Sequence, residues 1–137
     1  TGPMVMTGYI NKEPIDGDFN TDDIGYIDED GFVYILNRRK DLIISGGENI
    51  YPKELEDLVY TLPSVKECVV VPVPDAKWGQ VPALFVAFHD GKSLPPEDIL
   101  AFMTDFLAKY KIPKYVKALT ALPRNGTGKI LRNELKL

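Results

Sequence analysis

Two short apolar runs, at residues 24–27 and 32–36, flank an acidic stretch that ends in Asp30 and Gly31. Asp-Gly between β-forming residues favours a tight turn. The pattern therefore predicts a β-hairpin.

Residues 1–20 are rich in Gly, Pro, Asn and Asp and show no sustained period, which is typical of connecting loop. We expect the chain to begin in the middle of a larger structure, because a hairpin cannot bury a core by itself. A domain boundary is expected near Lys40, with residues 1–40 ending one unit and 41–137 forming another.

Apolar residues recur at spacings of three and four in two later segments, which predicts two amphipathic helices. The first begins at Pro52, since proline is favoured at the first helical position, and ends near Pro63. The second follows Pro95 and Pro96, has acidic residues at the positive end of the helix dipole, and ends before Pro113.

Continuous β-branched runs predict two buried strands, and a short third strand is expected after the second helix. The strands are expected at residues 67–73, 83–88 and 115–119, and the loops at 74–82 and 124–129. Two helices and three strands are enough for a core after Lys40. Their order predicts an α+β fold in which the helices cover one face of a small sheet.

The composition and charge of the chain argue against several classes of function. The 137 residues include 20 Asp and Glu against 16 Lys and Arg, and the net charge of -4 argues against binding to nucleic acid or an anionic membrane. Cys68 and His89 are each the only residue of their type, so neither a disulfide scaffold nor a metal site is expected. No apolar run approaches the roughly 20 residues of a membrane span, and no leader pattern opens the chain. A cytoplasmic setting is expected.

Lys129 follows a glycine-rich stretch that invites comparison with a phosphate-binding loop. That motif requires glycine at position 123 and a hydroxyl at 130, where this chain has Pro123 and Ile130. What remains is a lysine on a glycine turn, able to bring a compact positive charge to a carboxylate or a phosphate. A solvated lysine in a C-terminal loop is the alternative interpretation.

Gly46 and Gly47 follow a short apolar run and lack the spacing of a dinucleotide-binding loop. Adjacent glycines let the backbone approach a ligand closely, so they could line a narrow channel. A plain strand-to-helix turn is the alternative.

Trp78 could form one wall of a ligand-binding site, or it could cover the edge of the core.

Asp22 and Asp23 could accept hydrogen bonds from a ribose diol, because a carboxylate can bind two vicinal hydroxyls. Arg38 and Arg39 could bind phosphate or sugar oxygens, and Lys40 could form interchangeable salt bridges. Solvated acids in a turn and a solvated basic corner are the alternatives.

Basic and aromatic side chains alternate between residues 109 and 117, which suits a nucleotide with several phosphates. Nucleic acid requires a wider basic face, so a compact polyphosphate ligand fits better. The residues are Lys109, Tyr110, Lys111, Lys114, Tyr115 and Lys117.

Four motifs occur in a specific order, at residues 19–25, 38–52, 78–80 and 123–129. Together they closely resemble the C-terminal third of adenylate-forming enzymes, a superfamily of acyl-CoA synthetases, peptide-synthetase adenylation domains and luciferases. The resemblance covers essentially the whole chain. Within the superfamily, residues 41–52 look most like acyl-CoA ligases.

The resemblance implies a reaction in two steps. A carboxylic acid reacts with ATP to form an acyl-adenylate, and the acyl group then passes to the thiol of CoA while the small C-terminal domain rotates. Mg²⁺ is expected with ATP but outside this chain, and the partner is a large N-terminal domain upstream. The chain alone is expected to be inactive.

Residue roles also follow from the resemblance alone. Asp23 matches the residue that binds the adenosine ribose, Arg38 the residue that supports it, and Lys40 the hinge. Lys129 matches the catalytic lysine of the adenylation step. The CoA-binding positions are Gly46, Gly47, Trp78, Tyr110 and Lys114.

The chain departs from the family pattern at three positions. Asp22 and Asn37 stand where glycine is common, and Ile112 stands where some CoA ligases have arginine. Asp22 adds negative charge beside the ribose site, and Ile112 removes one phosphate contact. Two other functions stay open: the lid of a carrier-protein-dependent adenylation domain, and a non-catalytic binding module.

Overall fold

The N-terminal hairpin forms as the sequence predicts. The computed structural model describes residues 6–15, 17–18, 20–38 and 41–137, with the backbone alone at 36–38. Strands β1 (Asp23–Ile27) and β2 (Val33–Arg38) pair antiparallel. Asp28 closes their turn, since its Oδ1 accepts hydrogen bonds from the N–H groups of Asp30 and Phe32.

A five-stranded sheet and two helices make up the rest of the described fold. The elements are β3 (Ile43–Ser45), β4 (Glu48–Ile50), α1 (Pro52–Val59), β5 (Val65–Asp75), β6 (Gly79–Phe88), α2 (Pro96–Thr104) and β7 (Tyr115–Ala118), with 3-10 turns at Lys109–Lys111 and Arg132–Glu134. The strand order is β4-β3-β6-β5, and β7 pairs with β6 in parallel. The described helices are too short and too polar to traverse a bilayer.

The α+β class is confirmed, but the loop predicted at 74–82 and the alternative of a strand-to-helix turn at Gly46 and Gly47 are wrong. Gly46 and Gly47 join β3 to β4 instead of leading into a helix, because both have positive φ, +59° and +91°, as a tight hairpin turn requires. The loop predicted at 74–82 is mostly strand. Asp75 pairs with Gly79, whose φ of +75° closes a three-residue turn.

Both helices end earlier than predicted because their last turns tighten. Leu62 donates to the carbonyl of Val59, and Phe106 donates to that of Met103, three residues back in each case. Helix α2 therefore ends at Thr104 instead of just before Pro113.

The central strands β5 and β6 are buried on both faces, which explains their continuous apolar runs. One face packs Val70, Leu84 and Val86 against the helices, whereas the other packs Val69, Val71 and Phe85 against Leu122 and Leu135. The C-terminal segment therefore covers the face that the helices leave open. Its anchors, Leu122 and Leu135, lie on either side of the loop that carries Lys129.

The free edge of β5 is satisfied by side chains. Glu56 of α1 accepts a hydrogen bond from the N–H of Val70 at 2.8 Å, and Arg132 donates to the Val70 carbonyl at 2.7 Å. Arg132 and Glu56 also form a salt bridge at 2.9 Å. The C-terminal 3-10 turn is thus fixed to both the sheet and α1.

Candidate functional site

The Lys129 loop is held by its own hydrogen bonds. Arg124 and Ile130 form a β-bridge across its base. The side-chain oxygen of Asn125 accepts from the Thr127 N–H, the Thr127 hydroxyl and the Lys129 N–H at 2.8–3.0 Å. The backbone of Lys129 therefore has a defined position, although its side chain is exposed.

Lys129 lies in a basic cleft of about 750 Å³ that Arg124 and Arg132 also line. Within the described residues, the Lys129 ammonium has no hydrogen-bond or ionic partner. Asp41 is the acidic residue of the cleft. Such a site can receive an anion that another part of the protein presents.

A separate cavity of about 590 Å³ brings together four of the five residues that match CoA-binding positions: Gly46, Trp78, Tyr110 and Lys114. Gly47 belongs to the adjacent turn but not to the lining. Sequence reasoning did not assign Glu48 or Lys109 to this cavity, although both line it.

Gly46 and Trp78 pack in direct contact. The N–H of Gly46 donates to the Trp78 carbonyl at 2.9 Å, and a Cβ on Gly46 would lie 2.6 Å from the Cε3 atom of the ring. The Lys77 ammonium lies 4.5 Å from the centre of the same ring. Glycine at 46 is therefore required both by its φ and by the ring.

Asp75 fixes the β5–β6 turn and the lysine opposite it. Its Oδ1 accepts from the N–H groups of Lys77 and Trp78, and its Oδ2 meets the Lys114 ammonium at 2.5 Å. Lys114, followed by these two N–H groups, lowers the pKa of Asp75 to about 2. The same carboxylate raises the pKa of Lys114.

The basic and aromatic segment at residues 109–117 is not one open surface. Lys111 pairs with Glu54 at 2.7 Å, Lys117 donates to the Lys136 carbonyl, and Lys114 is held by Asp75. Lys109 lines the cavity and has no such partner in the described part of the chain. Only part of the predicted polyphosphate surface is therefore available.

The Asp75–Lys114 pair predicts a stability change at acidic pH. Because the folded-state pKa of Asp75 is about 2, below its ordinary value of 3.8, the contribution of the pair is present above about pH 4 and is lost as the pH falls toward 2. The difference in urea midpoint between this protein and Asp75→Asn should shrink over that range. A difference that stayed constant would contradict the role of the pair.

The residues that match the ATP site lie on the hairpin. Asp23 and Arg38 are cross-strand partners, so their backbones are adjacent. The Arg38 side chain and the whole of Lys40 lie outside the described residues. Asp22 has a φ of +59°, a region that favours glycine.

The single cysteine has no evident chemical role. Cys68 is buried, and burial raises its pKa to about 12, so its thiol stays protonated at neutral pH. Across the described ranges, no group of three or more His, Cys, Asp or Glu residues is arranged to hold a metal ion.

Comparison with known proteins places these features in a family. The model of the AMP-binding enzyme C-terminal domain matches residues 54–129. The 2-succinylbenzoate–CoA ligase of Lactococcus lactis is 58% identical over 98% of the chain. The chain spans about 29% of that protein's length.

Solved structures of o-succinylbenzoate CoA synthetase from Bacillus subtilis are also similar to this chain. The complex with the acyl-adenylate intermediate OSB-AMP matches 99% of this chain and 29% of its own with a TM-score of 0.91 at 44% identity. The structure of a double mutant bound to the product analogue OSB-NCoA has a TM-score of 0.67 and 47% sequence identity to this chain. The match covers 85% of this chain and 24% of the mutant's chain.

Within the adenylate-forming enzymes, residues 38–52 are similar to bacterial 2-succinylbenzoate–CoA ligase of menaquinone synthesis, and the comparisons confirm that resemblance. The family model covers more than half of the chain and includes Lys129 and the cavity-lining residues between Trp78 and Lys114. The chain belongs to the AMP-binding enzyme C-terminal domain family.

Proposed function

We propose that the chain is the C-terminal part of an ATP-dependent acid:CoA ligase whose acid is 2-succinylbenzoate. The 58% identity to a 2-succinylbenzoate–CoA ligase supports the choice of acid. One observation carries the reaction in two steps: the Lys129 cleft and the Gly46–Trp78 cavity share no lining residue. A domain with two separate sites suits a reaction in two steps, in which rotation of the domain presents first one site and then the other.

The proposed division of the chain is a hairpin unit at 1–40 and a mobile lid at 41–137, with Lys40 as the hinge. Apolar side chains are exposed on the hairpin, including Ile27 at 67% and Val33 at 65%. Such exposure is expected where another domain covers the surface.

In the adenylation step, a carboxylate oxygen of the acid attacks the α-phosphorus of ATP, and the bond to the leaving pyrophosphate breaks. Lys129 donates hydrogen bonds to the acid carboxylate and to an α-phosphate oxygen, so it stabilises the charge that develops there. Asp23 accepts hydrogen bonds from the ribose hydroxyls, and Arg38 supports that site. Mg²⁺ neutralises phosphate charge when it accompanies ATP, and its ligands lie outside this chain.

In the thioester step, the CoA sulfur attacks the acyl carbonyl, and AMP leaves. The backbone of Gly46 lines the passage for the pantetheine arm, beside Trp78, and Gly47 completes the turn that holds Gly46 there. Tyr110 and Lys114 face the CoA nucleotide. Because Asp75 already neutralises Lys114, we assign the free cationic charge at this end to Lys109.

The partner of the chain is the N-terminal domain of the same protein, which supplies the acid-binding pocket and the remaining phosphate contacts. A cytoplasmic location fits the use of ATP and CoA and the single buried thiol of Cys68.

The test is an assay of the full-length protein with ATP and 2-succinylbenzoate, with free CoA or a carrier protein as the acceptor. The expected result is pyrophosphate release that requires the acid, followed by a thioester on free CoA. The isolated chain should show no exchange between ATP and pyrophosphate. Transfer to the carrier protein alone would favour a carrier-dependent domain, and no reaction with any acid would favour a binding module.

A further inference from the structure

Glu67 joins the sheet to the C-terminal segment. An extra residue between Val65 and Glu67 shifts the pairing of β5 with β6, so that Val65 packs on the helix side while Glu67 faces the other side. There, Glu67 Oε1 accepts a hydrogen bond from the Leu122 N–H at 3.3 Å, and Oε2 meets the Arg124 guanidinium. The Glu67 side chain is only 14% exposed.

Arg124 continues this connection into the loop. One arm of its guanidinium binds Glu67, and Nη1 of the other arm donates to the Gly128 carbonyl at 2.6 Å. Gly128 directly precedes Lys129. A continuous set of contacts therefore runs from the central sheet to the peptide bond that carries the lysine.

We propose that Glu67 and Arg124 are positioning residues that hold the Lys129 loop in the orientation needed for adenylation. The proposal rests on the function proposed for Lys129. It assigns to Glu67 and Arg124 no contact with substrate.

The electrostatics of the pair suit this role. Burial raises the pKa of Glu67, but Arg124 and the Leu122 N–H together lower it by more. The net pKa is below its ordinary value, so the carboxyl is ionised at neutral pH. The carboxylate neutralises Arg124, and Lys129 remains the free cation of the loop. The planar guanidinium of Arg124 binds two acceptors at once, one through each of its two terminal nitrogens, an arrangement called the fork below. It therefore fixes the orientation of the loop in a way that a lysine could not.

Two variants of the full-length enzyme separate positioning from folding. Glu67→Gln keeps an oxygen that can accept from Leu122 but removes the charge that holds Arg124. Arg124→Lys keeps the charge but removes the fork. The matched control is Asp57→Asn, which removes a carboxylate from the exposed pair with Lys53 on α1.

Glu67→Gln and Arg124→Lys should each slow adenylation by about tenfold, because a small misplacement of a reacting group has effects of this size. The thioester step from preformed acyl-adenylate and the Tm should stay near those of the wild type, as should both steps in Asp57→Asn. Amide hydrogen exchange at Lys129 should become faster in Glu67→Gln. Wild-type adenylation in both variants, or equal loss in both steps with a lower Tm, would overturn the positioning role.

The Lys129→Ala background distinguishes this proposal from the function on which it rests. If Glu67 acts through Lys129, adding Glu67→Gln to Lys129→Ala should cause no further loss of adenylation. An additional tenfold loss would overturn the positioning role alone. Normal adenylation in Lys129→Ala itself would remove the role proposed for Lys129 and the positioning role with it, whereas the ligase function fails only if the wild-type protein releases no pyrophosphate with the acid.

Discussion

Replacing Lys129 by alanine in the full-length protein should slow acyl-adenylate formation by about 10²–10³-fold, the usual effect of removing one group that stabilises developing negative charge. The loss should be confined to that step, because Lys129 does not line the Gly46–Trp78 cavity. Single-turnover pyrophosphate release measures the first step, and thioester formation from preformed acyl-adenylate measures the second.

Lys92→Ala is the matched control for this variant. Lys92 is an exposed lysine in the turn after β6, and we assign it no part in either site. Its removal should leave both steps unchanged. Equal slowing of both steps in Lys129→Ala would contradict a role limited to adenylation.

Gly46→Ala should impair the thioester step by about 10- to 100-fold, because displacing one wall of the site misplaces the reacting group, and a small misplacement has effects of this size. The φ of Gly46 is +59°, and the added Cβ would displace the Trp78 ring from the wall of the cavity. The effect should be seen as a higher KM for CoA. Pyrophosphate release in the first step should stay close to the wild-type rate.

Gly91→Ala separates backbone strain from the contact with the ring. Gly91 also has a positive φ, +71°, but an added Cβ would meet nothing within 4 Å. We expect a modest loss of stability and an unchanged KM for CoA. If Gly91→Ala and Gly46→Ala raised that KM equally, the contact with Trp78 would have no functional meaning.

Local patterns in the sequence were enough to predict the hairpin, the two helices and the buried strands. The β3–β4 hairpin was missed because strands of three residues are too short to show a period. Its signal was the Gly46-Gly47 pair, which also favours a tight hairpin turn. The helix ends were misplaced because Phe106 continues the apolar spacing after the backbone has left the helix.

The residues around the site were predictable to different degrees. Gly46, Trp78, Tyr110 and Lys114 could be proposed because they match family motifs, and the cavity brings them together. Asp75 could not, since its partner lies 39 residues further along the chain.

The Glu67–Arg124 pair spans 57 residues and was hidden for the same reason. Periodicity describes which face a side chain occupies, but it does not identify a distant partner on that face. An acidic residue inside an apolar strand was the available signal, because a half-buried carboxylate requires a counter-charge or hydrogen-bond donors.

The most direct test is a crystal structure of the full-length protein with an acyl-adenylate analogue bound. The Lys129 Nζ atom is expected within about 2.7–3.2 Å of a phosphate or acyl oxygen of the analogue, with Arg124 still bridging Glu67 and the Gly128 carbonyl. A Lys129 side chain that extends into solvent in every captured complex would contradict the account.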